Sequence, residues 1–387
     1  MNEIKLAARY VRKGGIKTIV TFFGVFFVAF LITLVSTVVS SLTLTLEENV
    51  YQRKGRYHIS YWSTSKEATA DFLKNNSFDE YATASLIFQT GEGDTAQRIL
   101  SVSDKWTKIM PVHIVEGSFP KTFCQITVPQ SFAAGAGLKV GQSFDPGDGK
   151  TYEITGIYDQ DQMITALVSF GIYDGIIFFT VNNDTAGAEE SFILLKLRPT
   201  QSIEEFYEKY GYEAITINSS YIDVSPVVFG RETMYKLLGK ISTFVYILIV
   251  SASLLFVGNA FLSVENENAV EYGTLLSVGA TNTQVYLIIV LKGILIALAA
   301  LIPGFICGVL VVFALIPMIG QKIGAILFRQ IDIVFAIDPK AIITIVILTI
   351  LTAILSAGYA TLRLKHSSVV SLVKGNFINE RFYARRK

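Results

Sequence analysis

Long runs of apolar residues without a charged residue mark the start of the chain and its last 150 residues. Four of them exceed the roughly 20 residues that a helix needs to cross a hydrocarbon core of about 30 Å. They cover residues 18–46, 241–264, 293–321 and 341–362, with lengths of 29, 24, 29 and 22. One such run could be a buried core helix, whereas four in one chain predict four membrane-spanning helices. The first is too long for the apolar part of a cleaved signal peptide, so we expect it to be retained.

A short helix is predicted before the first span. Ile4, Ala7, Ala8 and Val11 repeat at helical spacing, and basic residues occupy the rest of the wheel. This pattern is typical of an amphipathic helix that lies on a membrane surface.

The segment between the first and second spans has a different pattern, with short runs of β-branched and aromatic residues separated by turns. Strands are predicted at residues 57–62, 85–89, 98–102, 152–158, 176–180 and 192–197, and helices at 66–75 and 203–210. The predicted fold class is therefore a membrane protein of four transmembrane α-helices, arranged one plus three around a large α+β extracytoplasmic domain. We expect that domain to have two lobes.

Basic residues near the spans predict the orientation, because Lys and Arg favour the cytoplasmic side. Residues 1–17 carry five, residues 363–387 carry seven, and the loop 319–340 carries three together with two aspartates. Both termini are therefore expected inside, in a bacterial cell membrane. The segment 265–283 must then also be inside, although it has three glutamates and no Lys or Arg.

The predicted organisation follows from these spans. Residues 18–46 and 231–264 are longer than a bilayer needs, and either a stalk outside the membrane or a tilted helix explains the excess. The predicted segments are an amphipathic helix (1–17), span 1 with stalk (18–46), the outer domain (47–230), stalk and span 2 (231–264), a coupling helix (265–284), span 3 (285–318), an outer loop (319–340), span 4 (341–362) and a basic cytoplasmic tail (363–387).

Composition agrees with a membrane protein: 51% of residues are hydrophobic, 17% are charged and the mean hydropathy is +0.47. A net charge of +1 gives no reason to expect a nucleic-acid partner. Cys124 and Cys307 are too few for a disulfide framework. Gly149-Lys150-Thr151 resembles the end of a phosphate-binding loop, but Phe144 stands where that motif needs its first glycine.

No catalytic, cofactor-binding or metal-ligating set is predicted. His58 and His113 have no nucleophile or metal-type spacing near them in the sequence, so a structural role is the better interpretation of both. Asp159 and Asp161 fit a solvated turn better than an ion site.

The segment Glu271-Tyr-Gly-Thr-Leu-Leu-Ser-Val-Gly279-Ala280-Thr281-Asn-Thr-Gln284-Val285 resembles the signature that precedes the third span in FtsX-like permeases. Four pieces of the outer segment, starting at Glu116, Ile126, Gly137 and Tyr152, are similar to the MacB-like core domain. The resemblance extends to the last span with its basic tail. It implies a permease of the type VII ABC superfamily, which is not itself an ATPase.

The resemblance also implies partners and a mechanism. Such permeases act as dimers with a cytoplasmic ABC ATPase dimer that supplies ATP hydrolysis, and they transmit its motion to the outer domain. We expect Glu265, Glu267 and Glu271 to contact a basic patch of that ATPase, with Gly273, Gly279, Ala280 and Thr281 shaping the contact. A solvated charged loop is the alternative interpretation.

Two departures from the family pattern concern the second permease copy. Leu276 replaces the usual arginine, and Lys292 replaces a common glutamate in the third span. A lysine there needs a partner or access to the membrane surface. A heterodimer of complementary permeases would supply one, so both a homodimer and a heterodimer stay open. Gly304 and Gly308 form a small-xxx-small pair that could allow close helix packing.

The function predicted from these features is export or extrusion of a hydrophobic or peptidic substrate, such as an antibiotic, an antimicrobial peptide or a lipoprotein. The alternative is a regulator of an extracytoplasmic cell-wall enzyme that transports nothing. Both functions need the same spans in the lipid bilayer, and either could involve an extracytoplasmic adaptor.

Overall fold

A computed structural model of the 387-residue chain describes residues 3–13, 15–63, 66–93, 96–160, 175–182, 191–211, 214–227, 233–326 and 333–364. The chain divides into two compact units, one formed by Met1–Leu44 with Leu238–Lys387 and the other by Thr45–Leu237. Most of the predicted basic tail, residues 365–387, lies outside the described residues. So do Asp161, the predicted boundary at residues 230–231 and the middle of the predicted outer loop.

The first unit consists of helices. In chain order, the described helices of both units are α1 (Glu3–Lys13), α2 (Gly15–Lys54), α3 (Lys66–Asn75), α4 (Trp106–Ile109), α5 (Gln130–Ala136), α6 (Ile203–Tyr210), α7 (Ser219–Val224), α8 (Met234–Ser277), α9 (Asn282–Ile326) and α10 (Pro339–Leu364). Four of them are long and apolar enough to cross a membrane, over Thr18–Lys54, Met234–Ser277, Asn282–Ile316 and Pro339–Leu362. The four predicted spans are therefore confirmed by length and composition.

The helices α2, α8 and α9 are much longer than a bilayer requires. They have 40, 44 and 45 residues, which correspond to about 60 to 68 Å at 1.5 Å per residue. A hydrocarbon core is only about 30 Å thick. Each helix is therefore about twice as long as that core is thick, and α8 continues through most of the segment that the sequence assigns to a separate coupling helix.

Two glycines let α9 pack closely against α2. A methyl group added at Gly304 would lie 2.8 Å from Ala29 Cβ and 2.9 Å from the carbonyl oxygen of Phe26. One added at Gly308 would lie 2.8 Å from Thr33 Cβ. These distances are shorter than van der Waals contact, so the two glycines form a seam that only a hydrogen side chain fits, as the small-xxx-small spacing predicts.

The second unit contains one sheet, formed among the described residues by β1 (Ile59–Ser63), β2 (Glu80–Thr90), β3 (Gln97–Val102), β4 (Ile114–Gly117), β5 (Gln125–Pro129), β6 (Ser143–Phe144), β7 (Tyr152–Tyr158), β8 (Ile176–Val181), β9 (Ser191–Lys196) and β10 (Ile215–Ile217). The strand order is β10-β1-β9-β2-β3-β8-β5-β7-β4, with β6 paired to β7. The pairs β3–β8 and β5–β7 are parallel and the others antiparallel. The predicted α+β class is confirmed.

The expected two lobes are not separate bodies, because the sheet runs continuously and residues 45–237 form one compact unit. The sheet carries several hydrophobic clusters instead. One surrounds Trp106 and Phe179, another surrounds Phe72 and Ile203, and a third surrounds Ile126 and Phe178. Helices α3 and α6 have the bounds that the sequence predicts.

Lys150, in the segment that resembles the end of a phosphate-binding loop, lies in a β-hairpin turn. Strand β6 pairs with β7 in antiparallel register, Phe144 opposite Tyr152. Between them, the Asp148 side chain accepts from the backbone N–H of Lys150 and from the hydroxyl of Tyr152. A hairpin of this kind is not followed by a helix and offers no phosphate cradle, as the position of Phe144 suggests.

His58 is a buried structural histidine of the second unit. The backbone N–H of Leu197 donates to its Nδ1 at 2.8 Å. Its Nε2 therefore carries the proton and donates to Ser225 Oγ at 2.9 Å. Burial lowers the pKa of His58 to about 3, and nearby Lys196 adds to the effect. The imidazole is neutral in the folded protein, because Nδ1 accepts one hydrogen bond and Nε2 donates the other.

This burial makes the domain sensitive to acid. The unfolded chain binds a proton at His58 below about pH 6.5, whereas the folded chain does not until about pH 3. Stability is therefore greatest above pH 6.5 and falls by about 1 kcal/mol per pH unit as the pH drops towards 3. Denaturant titrations followed by tryptophan fluorescence measure it, because both tryptophans, Trp62 and Trp106, lie in this unit.

Two variants separate His58 from other acid-sensitive groups. His58→Gln keeps an acceptor and a donor but does not titrate, so its stability should lose much of this slope between pH 6.5 and 4. His113→Gln makes the same replacement at a half-buried histidine, whose ring contacts the carbonyl of Gln52, and serves as the matched comparison. Equal slopes in the parent and in His58→Gln would contradict the assignment.

Candidate functional site: the turn between α8 and α9

A tight turn joins α8 to α9, and local hydrogen bonds fix both of its ends. Gly279 has φ +102°, a conformation that favours glycine. Its N–H donates to Leu276 O at 3.1 Å, and the N–H of Ala280 donates to Leu275 O at 3.0 Å. Together, these two hydrogen bonds form a Schellman C-cap, which ends a helix sharply.

The next helix begins with a reciprocal cap. The side chain of Gln284 accepts from the backbone N–H of Thr281 at 2.9 Å, while the hydroxyl of Thr281 accepts from the N–H of Gln284 at 3.3 Å. A Thr and a Gln three residues apart form a capping box. The Gly-Ala-Thr-x-x-Gln pattern therefore has a physical reason: it ends one long helix and starts another within four residues.

A buried ion pair joins the two helices further from the turn. Lys292 Nζ on α9 lies 2.9 Å from Glu265 Oε1 on α8, and both side chains are 0% exposed. The hydroxyl of Tyr272 donates to the other oxygen, Glu265 Oε2, at 2.5 Å. Each oxygen of the carboxylate thus has a donor. Breaking such a buried pair leaves an uncompensated charge, which makes the contact strongly conformation-specific.

The position of this pair in the sequence is informative. The charge-free run of α8 ends at Val264, and that of α9 begins at Gly293. Glu265 and Lys292 are thus the first charged residues beyond the two runs, on facing helices. The pair therefore lies where the charge-free runs of both helices end.

Three sequence-based expectations need correction. The segment 265–284 is not a separate helix, because α8 continues to Ser277 and α9 begins at Asn282. Glu265 does not face a partner in this structure, since it is fully buried against Lys292. Lys292 finds its counter-ion within the same chain, so its charge gives no reason to expect a complementary heterodimer.

The remaining polar residues of this segment form an exposed surface. Glu267, Glu271 and Thr274 are exposed along α8, and Val278 at the turn is 88% exposed. They recur at helical spacing and so lie on one side of α8. We call Glu267, Glu271, Thr274 and Val278 the turn face. Thr281 is exposed beside it, whereas Gly273 is buried on the other side of the helix.

Helix α1 packs beside this segment, and sequence analysis missed its contact residue. Ala7 and Tyr10 are buried in the same cluster as Tyr272 and Ile288, whereas Ile4 is 60% exposed. The inward face is thus rotated from the predicted one. The rings of Tyr10 and Tyr272 have centroids 5.6 Å apart. The helical spacing from Ala7 to Tyr10 was the available signal, but it did not identify the partner.

Tyr10 also interacts with the turn face. Burial raises the pKa of Tyr10 to about 12, and the hydrogen-bonding interaction of its hydroxyl with Glu271 adds to the shift. Both effects favour the protonated phenol, which can donate to a carboxylate. Glu271, which is exposed to solvent, thus raises the pKa of a buried tyrosine of α1.

Residues 243–369, which include the turn, most of the second candidate span and all of the third and fourth, match the family model described as the FtsX-like permease C-terminal region. Over this region, the chain is similar to FtsX-like permeases. The buried ion pair, the turn and the turn face all lie inside the matched region, whereas α1 and the sheet unit lie outside it. The predicted relationship to FtsX-like permeases is confirmed there.

Two solved structures are similar to the chain in part. One is a domain of a protein designated a permease from Porphyromonas gingivalis, at 13% identity and a TM-score of 0.29, covering 40% of this chain and 80% of that chain. The other is the periplasmic region of MacB from Actinobacillus actinomycetemcomitans, at 11% identity and a TM-score of 0.28, covering 45% and 94%. No curated protein matches the chain.

Proposed function

We propose that this chain is the membrane-spanning permease subunit of a MacB-like ABC transporter and that a separate cytoplasmic ATPase dimer hydrolyses ATP for it. The observation that carries the proposal is the turn face, an exposed acidic surface inside the FtsX-like permease region. Glu267 and Glu271 suit a basic patch on a partner, and Val278 supplies an apolar contact at the tip.

The arrangement of α1 supports a cytoplasmic location for the turn. Lys5, Arg9, Arg12 and Lys13 are exposed on α1, and such residues favour the cytoplasmic side of a span. Because Tyr10 of the same helix contacts Tyr272, α1 and the turn lie on one side of the bundle. Because α1 supplies basic residues that favour the cytoplasmic side, the acidic segment 265–283 needs none of its own to be cytoplasmic. Both termini are proposed to be cytoplasmic, in a bacterial cell membrane.

Contacts at the other end of the bundle agree with this orientation. The hydroxyl of Ser41, late in α2, accepts from the backbone N–H of Ala336 at 3.1 Å. Ala336, just before α10, therefore lies towards the end of α2 that is remote from α1. In the proposed orientation this end, and the sheet unit that follows α2 in the sequence, are extracytoplasmic.

The proposed activity is mechanotransmission rather than passage of substrate through a pore. ATP-driven closure of the ATPase dimer would move α8 and α9 at the turn, and the excess length of α2 and α8 suits helices that carry motion beyond the bilayer. A second permease copy completes the assembly. The substrate class proposed is hydrophobic or peptidic, such as an antibiotic, an antimicrobial peptide or a lipoprotein.

Charge reversal on the turn face tests the proposal. The double variant Glu267→Lys and Glu271→Lys should lower the affinity for the ATPase by at least about tenfold, because like charges then face its basic patch. The measurement is binding of the purified full chain, in detergent, to the ATP-hydrolysing protein that co-purifies with the parent chain from its source cells.

The matched control makes the same charge change elsewhere. Glu205 and Glu208 are exposed on α6 of the sheet unit, so Glu205→Lys with Glu208→Lys should leave the affinity unchanged. Equal losses in both double variants would show a general charge effect. If no ATP-hydrolysing protein accompanies the parent chain, the proposed function is wrong.

A further inference from the structure

Helix α1 has a docked side and an outward side. The docked side packs along α9, and the outward side carries exposed cations next to a short apolar edge. We call this outward side the α1 face; it consists of Ile4, Lys5, Ala8, Arg9, Arg12 and Lys13. We propose that the α1 face binds the phosphate groups of anionic phospholipids at the cytoplasmic surface of the membrane. This binding rests on the orientation proposed above and needs no ATPase.

The cations of the α1 face have no carboxylate partner in the described part of the chain. Lys5, Arg9 and Lys13 follow one another at four-residue spacing, and Arg12 is exposed beside them. Among the described residues, none of these four side chains forms an ion pair. Like charges at this spacing repel one another on a helix. An anionic membrane surface relieves that repulsion, and each cation near it strengthens binding about fivefold.

The docked side fixes the direction of the α1 face. Ala7 is fully buried and Tyr10 is only 7% exposed, although both lie on a helix of 11 residues. The ring centroid of Tyr10 lies 5.6 Å from that of Tyr272, whose hydroxyl donates to the buried Glu265. Because α1 is held by these contacts, its cations are already arranged on one side, and little conformational freedom is lost when they bind a headgroup.

The position of α1 in the chain agrees with a location at the headgroups. One residue separates α1 from α2, and the charge-free run of α2 begins at Thr18. Lys13 therefore precedes that run by five positions, about 8 Å at 1.5 Å per residue. The polar layer on each side of a hydrocarbon core is about 5 to 8 Å thick. The long side chains of Lys and Arg extend the reach of the α1 face within this layer.

Two observations favour a phospholipid over other anionic partners. Ile4 is 60% exposed at the edge of the cations, and a membrane surface offers it an apolar boundary that a free phosphate ion does not. The second observation is the acidic turn face, for which the proposed ATPase has a basic patch. Such a patch would repel the cations of α1, so the two faces suit different partners.

Labelling of the full chain in lipid nanodiscs tests the proposal. Cys124 and Cys307 are exposed, so both are first replaced by serine. Ala8→Cys then places a thiol within the α1 face. Its rate of modification by an uncharged, hydrophilic maleimide is compared between nanodiscs of phosphatidylcholine alone and nanodiscs with about 30% phosphatidylglycerol. The anionic lipid should lower this rate at least about fivefold, because the headgroups then cover position 8.

Two quadruple variants with the same change of charge show whether the cations of α1 cause this protection. The first should label at the same rate in both lipids, and it replaces side chains of the α1 face by one of similar helix propensity: Lys5→Gln, Arg9→Gln, Arg12→Gln and Lys13→Gln. The second should keep the protection of the parent chain, and it changes exposed lysines of the sheet unit: Lys74→Gln, Lys108→Gln, Lys121→Gln and Lys139→Gln.

Salt and a buried position give two further readouts. About 0.5 M salt should remove most of the protection at position 8, because it screens exposed charges. A thiol on the docked side, from Ala7→Cys, should label slowly in both lipids, because α1 binds the headgroups while it stays on the helical unit. Fast labelling at position 7 with the anionic lipid would contradict binding by a docked α1.

Several results would overturn the proposal. Equal rates in the two lipids for the parent chain would do so, and so would an equal fall in the quadruple α1 variant, which would show a general effect of the anionic surface on the thiol. Protection by inorganic phosphate in phosphatidylcholine nanodiscs would also contradict it, because a free anion would then suffice.

These failures are distinct from failure of the proposed function, because no ATPase is present in the nanodiscs. The quadruple α1 variant should bind the co-purifying ATP-hydrolysing protein as tightly as the parent chain does. If the two lipids give equal rates and this variant loses that affinity, the cations of α1 contact the ATPase instead. The lipid proposal would then be wrong, whereas the proposed function would stand.

Discussion

Replacing Lys292 with methionine should destabilise the helical unit by about 3 to 5 kcal/mol, because it leaves the carboxylate of Glu265 buried and unpaired. Both side chains are fully buried, so water cannot take the place of the ammonium group without the helices moving apart. The unit contains the longest helices of the chain, so thermal loss of the helical circular dichroism signal in detergent measures the change.

A double variant tests whether the loss comes from the unpaired charge. Glu265→Leu with Lys292→Met replaces the pair by apolar side chains, and most of the lost stability should return, because the desolvation cost of both charges disappears. If the double variant is as unstable as Lys292→Met alone, lost packing rather than the charge is the cause. The exposed Glu267→Leu, two residues away on α8, should change stability little in either background.

The double variant also distinguishes the stability of the helical unit from the position of α1. An apolar pair can pack, but it cannot hold the hydroxyl of Tyr272, which donates to Glu265 in the parent. We therefore expect the double variant to be stable and yet to have a loosened α1. A buried pair that contributes little net stability can still define one arrangement of neighbouring groups.

The sequence was sufficient to predict the spans and most of the strands, because both depend on short-range patterns. A run of 22 or more residues without charge has few alternatives to a membrane helix. Strands β1, β3, β7, β8 and β9 coincide with runs of β-branched and aromatic residues. Their order in the sheet was not predictable, because the parallel pairs β3–β8 and β5–β7 join segments that are distant in the sequence.

The candidate site was predicted only in outline, for a similar reason. The motif at Gly279 and Thr281 encodes its own local hydrogen bonds, so the turn could be found. The segment 265–277 shows three glutamates but not which of them faces inward, since that depends on α9. The sequence predicts that Lys292 needs a partner. That partner, Glu265, lies 27 positions away in a segment that the sequence assigns to a separate coupling helix.

Glycine-to-alanine changes in the helical unit should have opposite signs at different positions. In an ordinary helix this change stabilises by up to about 1 kcal/mol, because glycine loses more backbone freedom on folding. Gly304→Ala and Gly308→Ala should instead destabilise by about 1 to 3 kcal/mol, because the new methyl groups meet α2 at 2.8 Å and α9 must move away. Thermal unfolding in detergent, followed by helical circular dichroism, measures both.

Gly358 provides the matched control for these two changes. It lies within α10, and the nearest atom to an added methyl group is Tyr286 Oη at 4.0 Å, so Gly358→Ala should be neutral or stabilising. A stabilising effect at Gly308 would show that α2 and α9 separate easily. In that case α9 could not pass motion from the turn to α2 through this seam, and the proposed transmission of motion would need a different contact.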